Sequence, residues 1–362
     1  MKILITGSEG FLGKNLSAKI NALNLGDILS YDVNNSVETL KSYAAQADFV
    51  FHLAGVNRPK DNAEFYTGNR DLTEALIQML SEKQSKTPVV FSSTIQAGNG
   101  SDYAKSKEEA EKMLLKSDIN ENVFIYRLPN IFGKWSLPNY NTVVATFCHN
   151  AANGMPLAVR DPNFEVTLCY VDDVVDIFLE AMKTGQLQEI QPCYTITLGK
   201  LAETISAFAN KSNKLKIWNV GDPFIKKLYA TYLSFLPKDK FSYSLTTHQD
   251  DRGSFTEFLH LPMHGQVSVN ISKPGIEKGN HWHNTKHEKF LVVHGKGIIK
   301  LRKINTTEIL EYFVNGEKQE VVDIPPGYTH NICNLGDSDM ITVMWANEIF
   351  DSQNPDTYFE KV

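Results

Sequence analysis

A glycine-rich turn directly follows the first apolar segment of the chain. The segment Ile3–Thr6 runs into Gly7, Gly10 and Gly13, and the amphipathic stretch Phe11–Leu23 begins within the same turn. In a strand–turn–helix unit, the first glycine allows a tight turn, the second lets the backbone approach a pyrophosphate, and the third lets the helix pack closely. The pyrophosphate then lies at the positive end of the helix. The predicted dinucleotide contacts are Gly7, Gly10, Phe11, Leu12 and Gly13.

The spacing of apolar segments divides the 362 residues into two regions. Up to residue 128, short apolar strands alternate with amphipathic helices, which is typical of a doubly wound parallel sheet of the Rossmann type. Residues 129–243 are less regular and predict the part that binds a substrate beside the sheet. From 244 to 362, many short alternating segments separated by turn residues indicate an all-β barrel. We therefore expect an α/β domain at 1–243 and an all-β domain at 244–362.

Composition excludes several classes of partner. A formal net charge of -6 provides no broad field that would attract nucleic acid or an anionic membrane. No apolar stretch approaches the roughly 20 residues that span a bilayer, and the first residues lack the apolar core of a signal peptide. Four cysteines at irregular spacing predict free buried thiols in a reducing compartment. We expect a cytoplasmic protein.

The ends of the second and third strands predict the rest of the cofactor site. A carboxylate at Asp32 typically binds the ribose 2′-hydroxyl of NAD and repels the 2′-phosphate of NADP. A simple turn aspartate is an alternative role for Asp32, and Arg58 could offset its charge, so that NADPH and NADH both stay open. The segment HLAG at 52–55 ends the third strand and resembles an element of extended short-chain dehydrogenases in which small residues leave room for the cofactor. Its predicted cofactor contacts are Leu53, Ala54 and Gly55, and a plain strand end with a glycine turn is the alternative.

A tyrosine and a lysine stand four residues apart on a predicted helix. At this spacing Tyr103 and Lys107 share one helical face, and a nearby ammonium lowers the pKa of a phenol. Tyr103 can then exchange a proton with a substrate oxygen while hydride moves at the carbon. Thr94, at the end of the preceding strand, occupies the place of a catalytic hydroxyl, with Ser93 as the alternative. These residues predict a short-chain dehydrogenase of the extended type.

Two later segments resemble the substrate-binding elements of nucleotide-sugar enzymes in that superfamily. They are RLPNIFG at residues 127–133, which contains Asn130, and YVDDV at residues 170–174. Relatives often carry an arginine four residues before the tyrosine of the second segment, and here that position is Val166. Arg160 is the candidate replacement. The predicted substrate contacts are Arg58, Asn130 and Arg160.

The second region contains the two motifs of a cupin barrel. The pattern GX5HXHX4EX6G fits from Gly275 to Gly295, and PXGX2HX3N fits from Pro325 to Asn334. Histidines two residues apart on a strand face the same side. Three imidazoles and a carboxylate suit Zn²⁺ or another divalent transition metal. His294 and Tyr328 are further candidates as proton carriers. The predicted metal ligands are His281, His283, Glu288 and His330.

Taken together, these motifs resemble the bifunctional CapF family of capsule and O-antigen biosynthesis. The resemblance covers nearly the whole chain and includes several longer segments. They are HLAGVNRP at 52–59, GKW at 133–135, DDRGSFTEF at 250–258, GQVSVNISKPG at 265–275 and PDTYF at 355–359.

The resemblance implies a substrate, two reactions and a homodimer. The substrate is a UDP-linked 4-keto amino sugar, UDP-2-acetamido-2,6-dideoxy-L-hexos-4-ulose. The cupin domain, with zinc, epimerises C3, and the reductase domain reduces the C4 ketone with NADPH to the L-talose derivative, on the route to UDP-N-acetyl-L-fucosamine. Family members form homodimers, largely through the cupin domain. The alternative is an NAD-dependent nucleotide-sugar 4-epimerase or dehydratase whose cupin serves only dimerisation.

Overall fold

The computed structural model of the chain describes residues 1–83, 86–140, 142–261 and 265–362. These residues form two compact units. The first contains Met1–Ala209 and Lys227–Pro237, and the second contains Asn210–Lys226 and Lys238–Val362. Asn210–Lys226, which we expected in the first domain, is therefore part of the second unit.

A five-stranded parallel sheet lies at the centre of the first unit. Its strands are β1 (Lys2–Thr6), β2 (Asp27–Tyr31), β3 (Phe49–His52), β4 (Val89–Thr94) and β5 (Val123–Leu128). They lie in the order β2-β1-β3-β4-β5, so the direction of winding reverses between β1 and β3. Ligands of such sheets bind at the carboxyl ends of the strands beside this reversal. The expected doubly wound α/β fold is confirmed.

Helices cover both faces of this sheet because successive strand residues point to opposite sides. Ile3 and Ile5 pack with Leu16 of the first helix, while Leu4 packs with Leu40 of the second. In the described parts of the chain, no helix is long and apolar enough to cross a membrane. The helices are α1 (Phe11–Ala22), α2 (Val37–Gln46), α3 (Ala63–Phe65), a π-helical stretch (Tyr66–Asp71), α4 (Leu72–Glu82), α5 (Asp102–Lys116), α6 (Val143–Ala152), α7 (Val171–Thr184), α8 (Leu198–Ala209) and α9 (Pro223–Ser234).

A smaller sheet of three strands follows β5 and contains a disulfide. Cys169 and Cys193 lie opposite each other in its antiparallel pair and are bonded through their sulfurs. The expectation of free thiols is therefore wrong for these two residues, which are far apart in sequence and meet only through strand pairing. Cys148 and Cys333 are free. The strands are β6 (Asn130–Phe132), β7 (Glu165–Tyr170) and β8 (Cys193–Thr197).

The second unit is antiparallel and all-β in its main part. A six-stranded sheet has the order β16-β13-β18-β11-β10-β9, and a five-stranded sheet has the order β15-β14-β17-β12-β19. Phe290 of the first sheet and Ile299 and Ile332 of the second share one apolar core. The strands are β9 (Thr247–Asp250), β10 (Gly253–His260), β11 (Gln266–Ser272), β12 (Glu277–Trp282), β13 (Glu288–His294), β14 (Lys296–Lys303), β15 (Ile309–Asn315), β16 (Val321–Ile324), β17 (Tyr328–Asn334), β18 (Met340–Ala346) and β19 (Tyr358–Phe359).

Candidate active sites

The glycine turn between β1 and α1 has a geometry that larger residues would disturb. Gly7 has a φ of 70°, and a Cβ there would lie 2.8 Å from the Cα of Ala54. A Cβ on Gly13 would lie 2.1 Å from the carbonyl oxygen of Gly7. Gly10 precedes α1 and offers no side-chain cap to its first turn. The N–H groups there are thus left for an anion such as a pyrophosphate.

Asp32 connects the end of β2 to this turn. Its carboxylate accepts hydrogen bonds from the backbone N–H groups of Glu9 and Val33, each at 2.8 Å. Arg58 does not offset this charge, since its guanidinium donates to the carbonyl oxygen of Asn139. Asp32 therefore acts as a turn residue of the cofactor loop, and it is half-buried at the strand end.

A cavity of about 570 Å³ opens beside the glycine turn at the carboxyl ends of β3 and β4. Thr94, Tyr103 and Lys107 line it together, as does Asn130. Arg160 is exposed on the loop before β7 and does not line this cavity. Arg58 and Ala54 do not line it either. The cofactor candidates that line it are Phe11, Leu12, Leu53 and Gly55. Asn57 of the HLAGVNRP segment also lines it, as do Gln96 and Thr142, which no sequence pattern indicated.

Lys107 is buried at the back of this cavity. Its ammonium donates to the carbonyl oxygen of Ser92 at 2.9 Å. A Cβ on Gly55 would lie 3.0 Å from the Nζ of Lys107, so the glycine makes room for the ammonium. Burial lowers the pKa of Lys107 to about 8, against a smaller opposite effect of Glu111. Near neutral pH the side chain is mostly protonated and can stabilise a negative oxygen.

The side chain of Thr94 interacts with the phenol of Tyr103. Burial raises the pKa of the Tyr103 phenol, and the interaction with Thr94 works against that rise. The pKa of Tyr103 is thus raised overall, and not lowered by Lys107 as the sequence predicted. Ser93 instead donates to Glu111, whose carboxylate also pairs with Arg127 at 2.6 Å. The geometry therefore favours Thr94 over Ser93 as the partner of Tyr103.

Asn69 supports the cavity wall and was not indicated by the sequence. Its amide accepts from the N–H of Val56 at 2.8 Å and donates to the carbonyl of Val56 at 3.0 Å. The same amide donates to the hydroxyl of Ser106, which lies on α5 between Tyr103 and Lys107. Asn69 belongs to the π-helical stretch, a rare conformation that often occurs at functional sites. No simple spacing rule predicts such a stretch.

The cupin-type motif residues of the second unit converge in space. The ligand atoms of His281, His283, Glu288 and His330 all lie within 4.8 Å of one another. His281 pairs directly with His330 across β12 and β17, and Glu288 begins β13. Burial, together with the neighbouring His330 and His283, lowers the pKa of His281 to about 4. The imidazole therefore stays neutral, as a metal ligand must.

The donor atoms of this cluster fit a cation. His283 donates from Nδ1 to the carbonyl oxygen of Asp356, so its Nε2 carries a lone pair. That Nε2 lies 3.4 Å from Oε2 of Glu288, and both atoms are buried without a hydrogen-bond partner. His330 places its Nε2 at 3.2 Å from the same oxygen. Electron pairs converging in this way repel each other unless a positive ion lies between them.

A second cavity, of about 590 Å³, reaches this cluster from inside the all-β unit. His281, Glu288 and His330 line it, together with Lys286 and Lys278. The ammonium of Lys286 lies 3.2 Å from Oε1 of Glu288, while Oε2 of the same carboxylate is the oxygen near His283. The proton carriers suggested by the sequence are not in this lining, since His294 and Tyr328 are both absent from it.

Comparisons with known proteins agree with the division of the chain into an α/β unit and an all-β unit. Residues 3–196 match the NAD dependent epimerase/dehydratase family, and residues 248–358 match the polysaccharide biosynthesis C-terminal domain. Over 365 residues, the chain is 44% identical to the UDP-2-acetamido-2,6-beta-L-arabino-hexul-4-ose reductase of Pseudomonas aeruginosa, covering 99% of this chain and 98% of that protein.

Solved structures give the same picture. The capsular polysaccharide assembling protein CapF from Staphylococcus aureus is 47% identical, with a TM-score of 0.94 over 100% of both chains. The UDP-N-acetylglucosamine 4-epimerase from Bacillus cereus is 19% identical, with a TM-score of 0.53 over 67% of this chain and 98% of that one. At that identity the second likeness concerns the fold alone.

Proposed function

We propose, on the premise that this chain belongs to the NAD dependent epimerase/dehydratase family and within it to the CapF family, that it reduces a UDP-linked 4-keto amino sugar. The substrate would be a UDP-2-acetamido-2,6-dideoxy-4-hexulose. The observation that carries this proposal is the cavity shared by Thr94, Tyr103 and Lys107 beside the glycine turn. The name of the Pseudomonas aeruginosa relative, a hexul-4-ose reductase, supports a 4-keto sugar.

The side chains of this cavity can perform the proton half of a carbonyl reduction. A nicotinamide, when bound, supplies the hydride that C4 accepts. The phenol of Tyr103 donates its proton to the C4 oxygen, and the interaction with Thr94 orients the phenol. The ammonium of Lys107, held by the carbonyl of Ser92, lines the same cavity and supplies its positive charge. The ketone thereby becomes a secondary alcohol.

The second unit would epimerise C3 of the same sugar. The C3 hydrogen is next to the C4 carbonyl, so it is acidic enough to exchange. Zn²⁺, or another divalent transition metal, would be held by His281, His283, Glu288 and His330 and would polarise that carbonyl when bound. Epimerisation followed by reduction would give UDP-2-acetamido-2,6-dideoxy-L-talose, on the route to UDP-N-acetyl-L-fucosamine.

NADPH is the proposed reductant, and Asp32 keeps NADH as the alternative. The carboxylate of Asp32 is half-buried at the glycine turn and would repel a 2′-phosphate. Initial rates with both cofactors decide the matter. Asp32→Asn should leave NADH binding weaker and NADPH binding unchanged or stronger; an unchanged preference would mean that Asp32 serves only the turn.

We also propose a cytoplasmic homodimer that forms through the second unit. Strand β15 lies at the edge of its sheet and exposes a row of apolar side chains, among which Phe313 is 68% exposed. An exposed apolar edge strand of this kind is typical of an interface. Sedimentation equilibrium of the wild type and of Phe313→Asp tests this, because a dimer interface there would be weakened by the charge.

The most direct test of the two reactions is product analysis by NMR after incubation with the 4-keto UDP-sugar and NADPH in deuterated water. We expect deuterium at C3 and an alcohol at C4. Reduction without deuterium at C3 would favour a cupin that serves only dimerisation. Interconversion at C4 without net NADPH oxidation, by a protein that retains NAD through purification, would favour the epimerase or dehydratase alternative.

A further inference from the structure

The segment Asp356–Glu360 lies beside β12, the strand that carries His281, at the edge of the five-stranded sheet. Its strand β19 pairs antiparallel with β12, so that Phe359 lies opposite His281 and Tyr358 opposite Trp282. The rings of Tyr358 and Trp282 stack with their centroids 4.8 Å apart. This segment contains most of the PDTYF motif, for which neither of the two proposed reactions has yet required a role.

Asp356 contacts the ligand-bearing turn with both its carboxylate and its main chain. The carboxylate accepts hydrogen bonds from the backbone N–H groups of Asn284 at 2.9 Å, Thr285 at 2.8 Å and Lys286 at 2.9 Å. These residues form the turn between two ligands. The main-chain carbonyl of Asp356 accepts from Nδ1 of His283, which leaves Nε2 of that histidine free to bind a metal.

Glu360 makes the corresponding contacts at the other two ligands. Its N–H donates to the carbonyl oxygen of Asn280 at 3.0 Å, and its own carbonyl accepts from the hydroxyl of Thr329. Asn280 directly precedes His281, and Thr329 directly precedes His330. The carboxylate of Glu360 is in turn held by Arg302 at 2.8 Å. The segment therefore contacts His283 itself and the chain within two residues of His281, Glu288 and His330.

We propose that Asp356 is a positioning residue of the metal site, an inference that rests on the metal-binding part of the proposed function. A carbonyl that accepts from one ring nitrogen of a histidine fixes the tautomer and the orientation in which the other nitrogen binds metal. The carboxylate of Asp356 holds the turn between His283 and Glu288, so that both donor atoms face the same point. Without it, the turn keeps its sequence but loses its fixed position.

Metal binding of Asp356→Ala measures this role. We expect its Zn²⁺ affinity, determined by competition with a chromophoric chelator, to fall about 10-fold, the low end of the range for outer-shell partners of metal ligands. The turn is released, while the main-chain carbonyl that holds His283 remains. The visible absorption of bound Co²⁺, which reports ligand geometry, should change as well. Asp356→Asn, which keeps the size and one acceptor oxygen, should recover part of the affinity.

Asp351→Ala is the matched control. Asp351 lies in the same part of the chain, but its carboxylate accepts from Gln353 at 2.8 Å and from Asn354 at 3.3 Å, within its own turn. We expect its Zn²⁺ affinity and Co²⁺ spectrum to match those of the wild type.

Several outcomes would overturn the inference. If Asp356→Ala melted at a lower temperature without zinc but kept the wild-type affinity and spectrum, the residue would be merely structural. If that variant did not fold, Asp356→Asn and Thr285→Val, which removes the 3.2 Å bond from the Thr285 hydroxyl, would decide; unchanged affinity in both contradicts the role. A wild-type chain that bound neither Zn²⁺ nor Co²⁺ would refute the metal site itself, which is a separate failure.

Discussion

The two candidate sites differ in what holds their polar groups in place. In the first unit, the ammonium of Lys107 has the carbonyl of Ser92 as a partner, and Tyr103 has Thr94. In the second unit, Nε2 of His283 and Oε2 of Glu288 are buried side by side without a hydrogen-bond partner. The protein alone thus organises the reductase site, whereas the cluster in the second unit leaves buried atoms that a bound cation would satisfy.

This difference has an energetic consequence. A buried polar atom without a partner costs about 1–3 kcal/mol, and more when it is charged. The second unit should therefore depend on its metal for stability, while the first should retain its geometry without a cofactor. Three substitutions and one pH profile test this contrast, and the largest effect is expected for Tyr103→Phe.

Tyr103→Phe should remove the proton donor without disturbing the site. The ring remains to pack against Phe65, whose centroid lies 5.8 Å away. We expect kcat for NADPH oxidation to fall about 10²- to 10⁴-fold, the usual contribution of a general acid. Deuterium exchange at C3, measured by NMR, should continue at the wild-type rate. Loss of exchange in a folded Tyr103→Phe variant would contradict the division of labour between the units.

His281→Ala should have the converse effect. We expect C3 exchange to disappear and bound zinc, measured by elemental analysis, to be lost. The zinc-dependent stabilisation should vanish too; it amounts to about 2.7 kcal/mol when free metal is 100 times its Kd. The control is His294→Ala, an exposed histidine at the end of β13. If C3 exchange survived in His281→Ala, the second unit would serve only dimerisation.

Gly7→Ala should show how closely the cofactor turn is packed. Gly7 and Gly154 have nearly the same φ, 70° and 71°, but a Cβ on Gly154 would meet nothing within 4 Å. Both variants share the backbone strain, so their difference isolates the contact with Ala54. We expect Gly7→Ala to lose about 1–3 kcal/mol more in free energy of unfolding than Gly154→Ala. Its KM for the cofactor should also rise; equal stabilities would mean that the turn can shift.

The buried ammonium of Lys107 should give the reductase a pH dependence. Burial lowers its pKa to about 8, so the unfolded chain binds more protons from about pH 8 up to the ordinary lysine value. This contribution to the free energy of unfolding therefore rises with pH in that window. Reductase kcat/KM should move the other way, approaching a tenfold loss per pH unit well above pH 8, because the ammonium is lost.

The control for this prediction is Lys105→Ala, since Lys105 is exposed on the same helix. It should keep the wild-type pH profile. In Lys107→Arg the side chain stays charged, so any residual activity should not decline above pH 8. A wild-type profile that stays flat to pH 10 would show that the charge of Lys107 is not required.

Short-range patterns determined the elements of both sites. The spacing of Gly7 to Gly13, of Tyr103 to Lys107, and of His281 to His283 places residues on one turn or one face of a regular element. Such relations follow from the local geometry of helices and strands. For this reason the sequence alone predicted the parallel sheet, the all-β unit, the presence of Tyr103 and Lys107 in one cavity, and the convergence of three histidines with Glu288.

Relations between distant residues were decided only by the tertiary structure. It selected Thr94 over Ser93, because Ser93 is held by Glu111. The tertiary structure places Asn69 against Val56 at the cavity wall and Asp356 against the turn between His283 and Glu288. It also joins Cys169 to Cys193. It also left Arg58 and Arg160 outside the cavity in which we had expected them. These contacts depend on strand pairing and packing across long stretches of chain, which no local periodicity encodes.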